Sequence, residues 1–332
     1  MAVRWGILCL WTALALGVSG QGATGRARMA DAVPAEVESL YDQGVQFLLD
    51  LQTSDPDWNS PSSTHSAVTA FALLAVLAKG ENIYHPRVAE FTASCIDALL
   101  AAQHPATGYI GTSMYNHGFV TLGLAEAYGV VPDPRIGPAL VKAVDLILSA
   151  QAYNPKKAWR YTPQSNDADS TVTGCQLVAL FAARNAGIPV PDAALRQGLE
   201  FLESCRGENG AYGYVDDHGG RPTLTAIGVL CHYLATREVS DDMEQSLAYL
   251  KRRMSFRDQH YPFYFEYYMS QALFQANYDL WEEWNQRNVR YLRILQAPDG
   301  SWDGNHGKVY CTSAALLSLA LNYRYMPIYE RF

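Results

Sequence analysis

Apolar runs separated by polar turns recur along this chain, and they recur on a fixed period. Val68-Thr69, Val120-Thr121, Val172-Thr173 and Leu224-Thr225 follow one another every 52 residues. Each stands at the head of an apolar run: Ala67 to Leu77, Phe119 to Ala127, Thr173 to Ala183 and Ala226 to Leu234. A constant spacing of that size marks one supersecondary unit copied along the chain. The runs read as helices. About one turn ahead of each Thr stands a polar residue, respectively His65, His117, Asp169 and Arg221. The repeat therefore sets a different functional group at the same point of each unit.

Between these helices lies a second type, which ends on its own recurring pattern: Leu48-Leu49-Asp50-Leu51-Gln52, Leu99-Leu100-Ala101-Ala102-Gln103, Ile147-Leu148-Ser149-Ala150-Gln151 and Leu292-Arg293-Ile294-Leu295-Gln296. Residues 202–206 and 250–254 fill the remaining places with Arg206 and Met254, giving six helical pairs. Turn-rich loops such as Ser54-Asp55-Pro56-Asp57, Gly207-Glu208-Asn209-Gly210 and Pro298-Asp299-Gly300 link the members of a pair. An open stack of such pairs needs terminal repeats with a polar outer face. Here Ala67 to Ala78 carries Thr69 as its only polar residue, and Thr312 to Leu321 is nearly as apolar. Helices apolar all round are covered on every side. Closure buries both, so the expected fold is all-α, an (α/α)6 toroid of six inner and six outer helices over residues 34–332.

The N-terminus changes the picture of where this toroid acts. Arg4, an apolar stretch from Trp5 to Val18, and small residues at Val18-Ser19-Gly20 read as a secretory signal peptide over residues 1–20. Residues 21–33 read as a flexible leader. The expected product is exported, periplasmic or extracellular, without a transmembrane anchor after cleavage. The formal net charge of −8 loses one positive charge with Arg4, giving −9, and no Lys/Arg patch compensates. Nucleic acid is thereby excluded as a partner, because phosphate binding needs cationic neutralisation. No protein partner is indicated. Cys95, Cys175, Cys205, Cys231 and Cys311 remain after cleavage, with no Cys-x-x-Cys pair; most read as buried thiols, and one bridge among them stays open.

Gln296-Ala297-Pro298-Asp299-Gly300-Ser301-Trp302 is a Gln-x-x-x-Gly-x-Trp motif. It resembles the QW repeat of squalene and oxidosqualene cyclases and the related repeats of protein prenyltransferases. Gln52 to Trp58, Gln103 to Tyr109 and Arg206 to Tyr212 keep the six-residue step, and Gln151 reaches Trp159 after eight. Such a Gln satisfies orphan backbone groups at helix ends while the aromatic stacks over it, clamping neighbouring outer helices. The resemblance covers nearly the whole mature chain and implies the toroid. Activity does not follow from a clamp.

Asp167-Ala168-Asp169-Ser170-Thr171-Val172 resembles the Asp-x-Asp-Asp-Thr-Ala segment of hopene-type cyclases, whose middle Asp protonates an alkene or epoxide. Asp167 and Asp169 match the first two carboxylates and Thr171 the Thr, while Ser170 replaces the third Asp and Val172 the Ala. The resemblance implies Asp169 as general acid, with Asp167 beside it. The bland alternative is a helix cap. Equivalent positions one and three on a six-membered ring lie roughly 14–17 Å apart when packed helices are about 8–10 Å apart. His65, His117 and Asp169 therefore cannot share a metal, although His117 and Asp169 are close enough to touch. Prenyltransferase-like zinc ligation would need an Asp-x-Cys that the chain lacks, and Cys-Gly-Glu-Gln, the thioester run of other toroids, is also missing. No metal or cofactor is expected.

Tyr261, Phe263, Tyr264, Phe265, Tyr267 and Tyr268 surround Glu266 in the fifth pair. In the cyclases such rings stabilise carbocations through their negative faces; elsewhere they carry sugars or simply pack. His65, Tyr264, Glu266, Tyr267 and Tyr310 are the expected cavity residues, and Tyr323, Tyr325 and Tyr329 are expected to wrap the exterior. The leading reading is a cyclase-like or prenyltransferase-like toroid that takes an apolar, isoprenoid-type ligand in its central cavity. Two other classes stay open: a carbohydrate-active (α/α)6 hydrolase or lyase using Asp169 and Glu266, and a non-catalytic interaction scaffold.

Overall fold

The computed structural model describes residues 33–54, 58 and 66–326. His65, Tyr329 and the signal and leader segments up to residue 32 lie outside the described residues. Twelve α-helices are present among those described: α1 (Ala35–Ser54), α2 (Ser66–Leu77), α3 (Pro86–Ala101), α4 (Met114–Tyr128), α5 (Ile136–Tyr153), α6 (Ser170–Asn185), α7 (Asp192–Ser204), α8 (Pro222–Thr236), α9 (Asp241–Lys251), α10 (Pro262–Ala276), α11 (Tyr278–Leu295) and α12 (Gly307–Leu319). The even-numbered helices pack in chain order and α12 packs back on α2, closing a ring. The odd-numbered helices surround it, and α1 touches both α3 and α11. The fold is the (α/α)6 toroid that the apolar pattern required.

Inner helices start where the chain offers a cap or a Pro. Ser113 Oγ accepts from Asn116 N at the head of α4, Asp169 caps α6, and Pro stands in the first turn of α8 and α10. His117 lies a full turn inside α4 although Asp169, one period later, caps α6. The polar segment Tyr115-Asn116-His117 hid that extra turn, which Ser113 makes possible.

All six inner helices begin at one end of the ring. Ala67 N donates to Asn116 Oδ1 at 3.2 Å, the Tyr115 hydroxyl bonds Thr171 Oγ1, and Ser170 N donates to Tyr214 O at 2.8 Å. Thr223 Oγ1 donates to Asp258 Oδ2 at 3.3 Å, and the rings of Tyr261 and His306 stack at 5.3 Å. A turn or two below this mouth, Phe71 of α2 meets Phe119 of α4 at 4.7 Å and Tyr267 of α10 at 5.1 Å. Helices α2 and α10 are not ring neighbours, so the second contact spans the lumen and aromatic rings fill it at that level.

The recurring Gln residues tie the outer layer together. Each donates through Nε2 to its own loop and to the next outer helix: Gln103 to Gly108 O and Ala139 O, Gln151 to Lys157 O and Ala194 O, Gln296 to Gly300 O and Leu40 O. The aromatic does not stack over the Gln, as expected from sequence, but plugs the space between outer and inner layers. Trp159 Nε1 donates to Ile147 O and Trp302 Nε1 to Leu292 O, both at 2.8 Å. The periodic Thr has its role here as well: Thr173 and Thr225 accept the backbone N–H of Trp159 and Tyr212, as Thr312 of the last pair does for Trp302. Gly300 adopts φ +83°, and a Cβ there would fall 2.3 Å from Gln43 O of α1, so only Gly lets this loop close on the first helix. The first copy differs: Trp58 stacks on Phe91 at 5.4 Å and donates weakly to Gln52 Oε1 at 3.5 Å.

The five cysteines among the described residues are free and buried. Tyr323 packs edge-on against Tyr41 at 4.9 Å, and Tyr325 is 45% exposed. No described helix is long and apolar enough to cross a membrane. Trp302 is fully buried, and Trp302→Ala is expected to cost about 3–5 kcal/mol in denaturant titration. The same truncation at half-buried Trp58 should cost less than half as much.

Candidate functional site

The mouth at the N-terminal ends of the inner helices gathers most of the sequence-predicted chemistry. Asp169 is fully buried as the cap of α6. Its Oδ1 accepts from Thr171 N at 2.9 Å, Val172 N at 2.9 Å and Thr171 Oγ1 at 2.6 Å, whereas Oδ2 has no hydrogen-bond partner. Thr171 gives its own proton to Asp169, so the Tyr115 hydroxyl is the donor in the bond to Thr171 Oγ1. A relay Tyr115–Thr171–Asp169 results. Burial raises the Asp169 pKa, against the pull of Thr171, Val172 and Arg160. Ser170 turns away, donating to Gly213 O at 2.9 Å, so the place of the missing third carboxylate faces a neighbouring loop.

Asp167 is exposed and paired to Arg160 Nη1 at 2.5 Å, while Arg160 Nε lies 3.8 Å from Asp169 Oδ2. The two carboxylates thus share a guanidinium instead of sharing a proton. Arg160 spreads over the rings of Tyr161 and Tyr214 at 5.3 and 5.7 Å, and the two phenol groups hydrogen-bond each other. Arg160, Tyr115, Tyr161 and Tyr214 were missed from sequence. A signal for two of them existed: Tyr161 and Tyr214 each stand two residues after the motif aromatic, Trp159 and Tyr212.

Two predicted site residues lie elsewhere. His117 does not reach Asp169. Its Nδ1 accepts from Ile110 N at 3.1 Å and its Nε2 donates to Ala143 O at 2.9 Å, which joins α4 to α5 and leaves no ring nitrogen free. Burial lowers its pKa to about 4, so the ring is neutral. Glu266 is not a cavity residue. Tyr264, Tyr267 and Tyr268 take the lumen face of α10, and a residue two positions from Tyr264 points about 200° away. Glu266 therefore sits behind the ring, fully buried, with Arg257 Nε at 3.6 Å and no hydrogen bond to either oxygen. Burial raises its pKa to about 8 against the pull of Arg257. The Asp169–Glu266 pair of a glycosidase is not assembled.

Tyr264 and Tyr310 stand in the first turns of α10 and α12, half-buried, with Tyr115 in the first turn of α4. Tyr264 and Tyr268 pack edge-on at 4.8 Å, and neither hydroxyl has a partner of good hydrogen-bond geometry. Tyr267 is buried beneath them. These tyrosines form the floor of the mouth, the tyrosine basin, and Asp169, joined to it through Tyr115 and Thr171, keeps one buried oxygen without a hydrogen bond. Among the described residues, one trio of metal-ligand type, Asp216, Asp217 and His218, brings its atoms within 4.8 Å of one another, exposed on a loop.

By sequence, no family model and no curated protein matches the chain. By structure, it resembles two kinds of α/α toroid. A variant of the type II terpene cyclase MstE from Scytonema, solved with its substrate geranylgeranyl dihydroxybenzoate, is 15% identical with a TM-score of 0.59 over 87% of this chain and 97% of that one. An inactive variant of an alpha-1,6-mannanase from Salegentibacter sp. HEL1_6, solved with alpha-1,6-mannotriose, is 10% identical with a TM-score of 0.60 over 86% and 98%. A family 76 glycoside hydrolase from a bovine Bacteroides thetaiotaomicron strain is 10% identical with a TM-score of 0.62 over 86% and 77%. At such identities the likeness defines the toroid fold and leaves the chemistry to the site.

The two displaced residues give opposite pH signatures. His117 is neutral in the fold, so its contribution is complete above pH 6.5 and is lost as pH falls toward 4, on the order of 3 kcal/mol in all. The advantage of the chain over His117→Gln should shrink across that window. Glu266 is protonated in the fold, so stability falls as pH rises from 4.5 through 8. Glu266→Gln should therefore gain on the parent chain between pH 5 and pH 8 in denaturant melts.

Proposed function

We propose that the tyrosine basin binds an isoprenoid-type amphiphile, with its apolar chain on Tyr115, Tyr264 and Tyr310 and its polar end toward Arg160 and Asp167. Asp169 is the group placed to give or take a proton there. One observation carries this reading: Asp169 is fully buried, three donors fix Oδ1, and Oδ2 is buried without a hydrogen bond, with Arg160 Nε at 3.8 Å. A carboxyl oriented in this way, with its pKa raised by burial, resembles the acid that initiates cyclisation. The aromatic faces nearby suit a developing cation. The signal-like N-terminal segment supports export, where a membrane-derived polyprenyl lipid is the accessible source.

A second reading has its own support. Tyr161 and Tyr261 are 43% and 53% exposed at the mouth, as platforms for a sugar ring would be. Binding of a glycan there needs no Glu266; hydrolysis would need a second carboxylate other than Glu266.

Asp169→Asn keeps the size and much of the capping ability of Asp169 while removing the acid. Incubated with geranylgeraniol in mixed micelles, the variant should stay folded and bind the alcohol, and should lose product formation by about 10²–10⁴-fold relative to the parent chain. Unchanged turnover, or a lowered melting temperature as the sole effect, reduces Asp169 to a cap. If mannotriose binds, Tyr161→Ala abolishes that binding, and geranylgeraniol does not bind at all, the glycan reading replaces this one.

A further inference from the structure

The clamp between outer and inner layers is rebuilt in one repeat. Where the neighbouring copy has Gln151 and Trp159, the α7–α8 copy has Arg206 and Tyr212. Arg206, mostly buried, joins α7 to α9 by charge: Nε lies 2.7 Å from Glu203 Oε1 and Nη2 2.9 Å from Asp242 Oδ1. A phenol is smaller than an indole, and beside Tyr212 lies a cavity of about 370 Å³ between the end of α7, the second half of α8 and the start of α9.

Its polar groups converge at one end. Tyr212 Oη is 3.4 Å from Glu203 Oε2, and His232 Nε2 is 3.6 Å from the same oxygen. His232 Nε2 is buried without a hydrogen-bond partner. Burial lowers the His232 pKa, against Glu203 and with Arg206, so the ring is neutral and Nε2 is an acceptor when Nδ1 holds the proton. Glu203, Glu238 and Asp242 outnumber Arg206, while Val229 and Met243 supply an apolar wall. Tyr212 Oη donates to Glu203 Oε2 and keeps lone pairs of its own, so Oη, Oε2 and His232 Nε2 offer three acceptor positions for the three donors of a primary ammonium.

We propose that this cavity is a binding site for a small primary amine, with its ammonium group among His232 Nε2, Tyr212 Oη and Glu203 Oε2 and its short carbon chain along Val229 and Met243. The site is separate from the tyrosine basin and does not depend on the reading given to Asp169. An apolar indole at position 212 would remove both the space and one acceptor, which gives the departure from the repeat a chemical consequence.

The test is calorimetric titration of the full chain with n-butylammonium chloride, together with NMR of the His232 imidazole. A single-site isotherm and a shifted Nε2 resonance are expected. Tetramethylammonium, which has no N–H to donate, should bind about tenfold more weakly or worse, and so should n-butylammonium to Glu203→Gln. Glu203 also anchors Arg206, so a second variant guards against misfolding: Val239→Trp at the exposed rim should block entry and leave the melting temperature unchanged. No binding of n-butylammonium, equal binding of tetramethylammonium, or full binding by Val239→Trp overturns the proposal. A His232 shift with Zn²⁺ alone and none with n-butylammonium overturns it in favour of a metal site.

Discussion

Helices without a polar face must be covered on every side, and in a linear series the first and last can be covered only by each other. The contact between α12 and α2 supplies that cover. Everything else follows from the closure it enforces. Six inner helices around one axis must begin at one end, because each returns through an outer helix, and so the six helix starts converge on a single mouth. The rings of Phe71, Phe119, Tyr267 and Tyr310 then meet across the axis and fix how deep that mouth can be.

The outer layer holds through a different interaction. A Gln amide has two donors, and in three copies both are used on backbone carbonyls, one in its own loop and one on the next outer helix. Such a bridge joins repeats without charge and leaves the indole free to fill the layer between. Where Arg206 takes over, the bridge needs carboxylates at both ends, Glu203 and Asp242, and local electrostatics change with it. Structure and site chemistry are therefore linked at this one repeat: the residue that holds the layers together also brings the charges.

At the mouth, the same helix-start geometry does two things to Asp169. It satisfies Oδ1 with two backbone N–H groups and a hydroxyl, as any cap does. It also takes the carboxyl out of water, which pushes the pKa up, and leaves Oδ2 without a hydrogen bond, 3.8 Å from Arg160 Nε. Capping and chemistry are compatible here because a carboxylate has two oxygens and the helix uses one. Ser170, bonded to Gly213 O, shows why no second carboxyl group joins Asp169 from the adjoining position: that position faces the adjacent repeat.

The toroid was legible in the sequence because burial on every side is a property of composition and period, both of which are local. The 52-residue spacing, the all-apolar helices and the Gln positions each survive in one dimension. Asp169 was legible for the same reason, since a cap and its motif are contiguous. Facing was not. His117 stands one period before Asp169, yet an extra turn begun at Ser113 carries it inside α4 and onto Ala143. Glu266 sits among tyrosines in sequence, but a rotation of about 200° between residues two apart puts it behind the ring against Arg257. Arg160 and Tyr214 reach Asp169 only because neighbouring loops fold over neighbouring helix starts. Periodicity tells which residues are buried and at which level of the ring; which of them meet is decided by helix phase and loop packing, and those exist only once the ring has closed.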